Sequence, residues 1–171
     1  MNAIFRTSAE GLYAFSLNSR LVDQLLSYCR ESGVYETGGV LVGYYGRCHQ
    51  EAVVTRVSGP PTSSERTRWS FVRAVGHLQD WLDQLWLDYS DYYLGEWHFH
   101  PGGSANPSRP DLRQMRSIAR NAKYSCPEPI LLIIGGNPEG SWSWSTTVHL
   151  ANGKVVALTE GNPLCDPNRH S

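Results

Sequence analysis

The stretch from Trp97 to Asp111, Trp-His-Phe-His-Pro-Gly-Gly-Ser-Ala-Asn-Pro-Ser-Arg-Pro-Asp, leaves the chain few ways to fold. Tyr92 to His100 has an extended pattern, and in a strand residues i and i+2 point to one face. His98 and His100 therefore project together, while Trp97 and Phe99 turn the other way, towards a core. Pro101 to Pro107 is rich in glycine, serine and proline and reads as a flexible loop. Ser108-Arg-Pro-Asp111 has the Ser-x-x-acid form of a capping box, with proline inside the first turn where it is tolerated. A helix is expected from Ser108 to about Lys123, burying Leu112, Met115, Ile118 and Ala119. The loop can return the start of that helix to the end of the strand, which brings Asp111 near the two imidazoles.

Two neighbouring imidazoles on a rigid strand are half of a first-row metal site. Zinc takes about four ligands in tetrahedral geometry, and a catalytic zinc keeps one position for water. The third protein ligand should be a nearby carboxylate or histidine, and Asp111 is placed for it. Taken alone, a His-x-His pair is common in strands, and Ser108-x-x-Asp111 is a helix cap. The readings are compatible, because a capped helix start holds Ser108 and Asp111 in fixed positions. For a base, Glu36 stands at the mouth of the apolar, glycine-rich run Thr37 to Tyr45. Glu96 shares face parity with His98 and His100 and could be a metal ligand, a partner orienting an imidazole, or a surface carboxylate.

Around this core the pattern alternates between two periods. Gly11 to Leu17 alternates as a strand, and Leu21, Val22, Leu25, Leu26 and Cys29 recur at helical spacing from Ser19 until Gly33 stops them. Thr37 to Tyr45 and Glu51 to Ser58 read as a hairpin across Gly46-Arg-Cys-His49. Phe71, Val75, Leu78, Leu82, Leu85, Trp86 and Tyr89 form one helical stripe, with Ser70 as N-cap. Pro129 to Ile134 is a short buried strand, and Trp142 to Leu150 with Lys154 to Leu158 forms a closing hairpin around Asn152-Gly153. Two hairpins among interleaved helices predict an α/β or α+β domain with a mixed sheet and helices packed on it. Trp142 and Trp144 share a strand face and could present an exposed patch to a protein partner.

A length of 171 residues suits one domain, expected over residues 1–160, with a polar, disordered tail over 161–171. Fifteen Lys and Arg against sixteen Asp and Glu give a net charge of -1, which argues against a nucleic-acid binder relying on a basic surface. The longest strongly apolar run, Ile130 to Ile134, is far short of the roughly 20 residues of a membrane helix. No secretory signal is visible at the N-terminus, and the chain reads as soluble and cytoplasmic. Cys29, Cys48, Cys126 and Cys165 lack the close spacing of a zinc finger and read as ordinary thiols. His49, His77, His149 and His170 read as ordinary too.

Glu36-x-x-Gly39-x-Leu41-x-Gly43, followed by His98-x-His100-Pro101 and Ser108-x-x-Asp111, resembles the JAMM motif of the JAB/MPN metalloproteases. The resemblance spans about residues 11 to 159 and implies the cytidine-deaminase-like α/β fold of that family, though the deaminase signature itself is absent. Phe99 stands where eukaryotic members have a small hydroxyl residue, and Glu96 where a bulky one is often found. What the resemblance implies is a zinc peptidase. His98, His100 and Asp111 would hold the metal and leave a position for water, whose pKa zinc lowers to about 7. Glu36 would act as general base and then acid, and Ser108 would stabilise the oxyanion.

Relatives of this kind cleave isopeptide or peptide bonds after the C-terminus of ubiquitin or a ubiquitin-like protein. The contexts Tyr35-Glu-Thr-Gly-Gly39 and Gly95-Glu-Trp-His-Phe-His-Pro101 resemble bacterial JAB peptidases of antiphage operons. Those operons also encode E1- and E2-like enzymes and a nucleotidyltransferase, so the implied partners are a ubiquitin-like or C-terminally conjugated protein. The substrate tail could lie along a strand edge by β-augmentation. Two alternatives stand beside this: a non-catalytic binding module whose structural zinc takes Glu96 or His49 as fourth ligand, and a zinc hydrolase of small amides.

Overall fold

The computed structural model describes residues 2–46, 50–59 and 75–161. Eight strands alternate with three helices: β1 (Ile4–Thr7), β2 (Ala14–Leu17), α1 (Ser19–Ser32), β3 (Thr37–Tyr45), β4 (Glu51–Val57), α2 (Val75–Tyr89), β5 (Tyr92–Pro101), α3 (Arg109–Arg120), β6 (Ile130–Gly136), β7 (Trp142–His149) and β8 (Val155–Glu160). The strands form a mixed sheet in the order β1-β2-β4-β3-β5-β6-β7-β8, closed into a barrel by pairing of β1 with β8. Among the described strands, only β2 with β4 and β5 with β6 are parallel.

Strand β6 explains how the layers stack. Its residues alternate between two covered faces, so it reads as a continuous apolar run, as a strand buried on both sides should. Ile130, Leu132 and Ile134 join Trp97, Phe99 and the stripe of α1 (Leu21, Val22, Leu25, Leu26, Cys29) in the larger core, which draws residues from β2 through β8. Leu131 and Ile133 face the other way, into a second cluster with Val40, Val42, Met115 and Ile118 that α2 and α3 cover. Glu96 pairs with Leu131 and His98 with Ile133, so the histidine face of β5 belongs to this second layer.

The α1 stripe, the hairpins and the β5-loop-α3 unit match the sequence expectations; several details differ. β1 had no sequence signal, because its four residues are all half-buried and show no alternation. The strand expected from Gly11 begins only at Ala14, since the Ser8 hydroxyl accepts hydrogen bonds from the Leu12 and Tyr13 amides and holds residues 8–13 in a turn. Leu112, expected in the core, is 38% exposed: α3 turns Asp111 inward, and the next residue lies about 100° around the helix. Trp86 and Tyr89 also lie outside the core, Tyr89 beneath the Arg56 guanidinium at 4.1 Å. Trp142 and Trp144 pack against the larger core rather than forming a surface patch. The closed order gives each strand two neighbours among the described residues, with the β1–β8 register covering Arg6 and Thr7 and the β3–β4 register covering Leu41–Tyr45. Cys48, His49, Ser70, Phe71, Cys165, His170, the side chains of Val75 and His77, and residues 162–171 lie outside the described residues. No described helix is long and apolar enough to cross a membrane.

Candidate metal centre

The end of β5 and the start of α3 meet as the capping box requires. Ser108 is the N-cap of α3, its Oγ accepting from the Asp111 amide at 3.3 Å while Asp111 Oδ2 accepts from the Ser108 amide at 2.7 Å. The acid that closes the cap also faces both histidines: Asp111 Oδ1 lies 2.9 Å from His98 Nδ1, and Oδ2 lies 3.5 Å from His100 Nε2. The loop between them is tied down rather than free. Gly102 donates to the Gly136 carbonyl, Ser145 Oγ donates to the Ala105 carbonyl, and a Cβ at Gly135 would meet Ala105 N at 2.6 Å.

Each imidazole is gripped on its far side. His100 Nδ1 lies 3.3 Å from the Ser104 carbonyl, which can only accept, so Nδ1 carries a proton, while Nε2 faces Asp111 Oδ2. His98 Nε2 lies 3.3 Å from Glu96 Oε2. Burial disfavours charge on His98, but its bonds to Asp111 and Glu96, with their negative charges, prevail and raise its pKa to about 9. Burial works against ionisation of Asp111 as well, yet hydrogen bonds from His100, His98 and Ser108 hold its carboxyl well below the usual carboxylate range. Such a carboxylate stays available as an anionic ligand.

Glu36 stands just before the neighbouring strand β3 and is exposed. The β3–β5 ladder begins one residue later, with Thr37 opposite Phe99 and Gly38 opposite His98, so the chain enters that ladder beside the end of β5 that carries the histidines. The two glycines that follow Thr37 have separate reasons. A Cβ on Gly38 would stand 2.5 Å from the Trp97 carbonyl and 2.9 Å from His98 Cδ2, so glycine clears space for the imidazole. A Cβ on Gly39 would strike Ser58 O at 2.3 Å and Trp97 Nε1 at 2.4 Å, where the indole donates to the Ser58 carbonyl.

The donor set fits a borderline first-row cation: imidazole nitrogens and one carboxylate. Two ligands about 2.0–2.2 Å from a tetrahedral centre stand about 3.3–3.6 Å apart, and the 3.5 Å between His100 Nε2 and Asp111 Oδ2 has that length. The approaches are pairwise; no three His, Cys, Asp or Glu among the described residues form a ready-made cage. The network around Glu96 was not legible in the sequence. Glu96 is 3% exposed, which removes the surface-carboxylate reading. Its oxygens accept from Gln114 Nε2 at 2.6 Å and lie 3.5 Å from the Tyr93 hydroxyl. Gln114 follows Asp111 by three residues, a one-face spacing visible in the sequence. Tyr93 was hidden because a bulge at Leu94, between the Gly95 and Tyr93 pairings, resets the alternation of β5.

Comparison with known proteins gives a consistent picture. Residues 18–147 match the family model for prokaryotic homologues of the JAB domain. The chain is 42% identical over 154 residues to the CD-NTase/cGAS isopeptidase of Enterobacter hormaechei subsp. hoffmannii, covering 90% of this chain and 85% of that protein. A probable metalloprotease of Sinorhizobium fredii is 34% identical over 107 residues, 61% of this chain and 65% of its own length. Solution structures of proteins from Desulfitobacterium hafniense and Salinibacter ruber share the fold, with TM-scores of 0.54 and 0.51 at 18% and 14% identity. They cover 84% and 90% of this chain, and 86% and 93% of their own.

Proposed function

The chain belongs to the family of prokaryotic homologues of the JAB domain, and from that premise we propose that it is a zinc-dependent isopeptidase that hydrolyses the bond after the C-terminus of a conjugated protein. Its similarity to a CD-NTase/cGAS isopeptidase supports a nucleotidyltransferase of that class as the conjugated protein. A bacterial antiphage operon with E1- and E2-like enzymes is then the setting. The observation that carries the reading is the meeting of His98, His100 and Asp111 where β5 ends and α3 begins.

His98, His100 and Asp111 hold the zinc in this reading. When bound, the zinc would supply Lewis acidity and lower the pKa of a water molecule to about 7. Glu36, exposed just before β3, takes a proton from the attacking water and returns it to the departing amine. Ser108 has a distinct part. Its oxygen accepts the Asp111 amide as helix cap, which leaves the hydroxyl hydrogen to donate to the oxyanion that develops on the scissile carbonyl. The buried neighbours Ile133 and Val40 keep the inner side of the site apolar, which strengthens each of these interactions.

The test is cleavage of a purified conjugate by the zinc-loaded full chain, with mass spectrometry identifying the C-terminus released. Glu36→Ala and His98→Ala should abolish release, whereas Ser108→Ala should cost about 10²–10³ in kcat. Equal, small effects in all three variants would overturn the assignment.

A further inference from the structure

We propose that Glu96 is the positioning residue of the site, fixing the rotation of the His98 imidazole; this rests on His98 being a zinc ligand, as proposed above. Glu96 is a carboxylate with 3% exposure in a layer of valine, leucine and isoleucine. A buried charge is retained at a cost unless its hydrogen-bonding sites are filled. Here they are filled: Gln114 Nε2 donates to Oε2 at 2.6 Å, the Tyr93 hydroxyl reaches Oε1 at 3.5 Å, and His98 Nε2 stands 3.3 Å from Oε2.

The partners come from separate elements. Tyr93 is on β5 beyond the bulge, and Gln114 lies on α3 one turn after Asp111. Glu96 is therefore held by side chains from two elements while its Oε2 faces His98 Nε2. The arrangement repeats at the second histidine by different means, where the Ser104 carbonyl takes His100 Nδ1. Metal-bound imidazoles typically give their other nitrogen to a carboxylate or backbone carbonyl, which sets ring orientation and tautomer. With Glu96 on its Nε2 side and Asp111 on its Nδ1 side, the His98 ring cannot rotate without losing both contacts. An apolar side chain of equal size would fill the space with no charge to bury, so packing alone does not explain a carboxylate here.

The experiment titrates the full chain with zinc ion alone, in competition with a chromophoric chelator, and follows folding by circular dichroism. Glu96→Met should weaken zinc binding about 10–100-fold in a metal-free protein that still shows the wild-type circular dichroism spectrum. Glu96→Gln, which keeps an acceptor oxygen, should restore most of the loss, and Gln114→Met should show a smaller loss in the same direction. Wild-type zinc affinity in a folded Glu96→Met variant overturns the proposal. So does a loss as complete as that of His98→Ala, which would make Glu96 a ligand. If Glu96→Met does not fold, unchanged affinity in Gln114→Met overturns it instead. An unchanged zinc affinity in His98→Ala would sink the metal-site reading itself, so the two failures are distinguishable.

Discussion

Gly38 faces His98 across the β3–β5 ladder, and adding one carbon there tests how tightly the imidazole is held. The new Cβ would press on the Trp97 carbonyl at 2.5 Å and on the ring at 2.9 Å. Because the carbonyl belongs to the ladder, the ring or the strand must move. Gly38→Ala is expected to cost about 1–3 kcal/mol in urea unfolding, and to weaken zinc binding measured by chelator competition. Gly39→Ala would meet Ser58 O and the Trp97 indole instead, on the opposite face, and should destabilise to a similar extent while sparing zinc affinity. At this scale the sequence was legible wherever a side chain follows strand parity or helix spacing, as His98, His100 and Asp111 do. The Tyr93 contact to Glu96 escaped, because one inserted residue in β5 reverses parity and nothing in the letters marks it.

Helix α3 carries two tasks on one residue, and substitution can separate them. Removing the Ser108 hydroxyl deletes the cap on the Asp111 amide, which costs about 1 kcal/mol, as well as the proposed oxyanion donor. Ser108→Thr keeps both oxygen and hydrogen and should retain stability and most of the activity. Ser108→Ala should lose both, in amounts that differ in kind: a shift of a few degrees in melting temperature, against orders of magnitude in rate. A thermal scan beside a cleavage assay reads the pair. A rate loss no greater than the drop in folded fraction would leave the hydroxyl with capping alone. The capping box was legible because its two partners are three residues apart, and a helix fixes that distance. The four-residue strand β1 was not, since its place depends on pairing with β2 and β8 rather than on its own pattern.

Across the whole molecule, pH acts on stability through a histidine far from the ligands in sequence. His149 is buried near the end of β7 with Nε2 2.9 Å from Thr147 Oγ1, and burial lowers its pKa from 6.5 to about 4. Above pH 6.5 both folded and unfolded chains leave it neutral. Between 6.5 and 4 only the unfolded chain takes up the proton, so stability falls as pH falls, by on the order of 2–3 kcal/mol at pH 4. Urea midpoints of chelator-treated protein at pH 7.5, 5.5 and 4.5 should decline, and His149→Gln should flatten that decline. His98 acts in another window with the opposite sign. Its raised pKa stabilises the metal-free fold below 6.5, and this contribution fades as pH rises through about 9. The layered α/β organisation was legible from interleaved periodicities. Closure was not, because it joins residues 6 and 7 to 159 and 160, a contact no local window contains. That seam also sets a schedule. Among the described strands, β1 leaves the ribosome first and β8 last, so β1 waits unpaired on that side while the strands between them are made. Shutting the ring is therefore a late, long-range event, and it gives this small chain reason to fold slowly for its size.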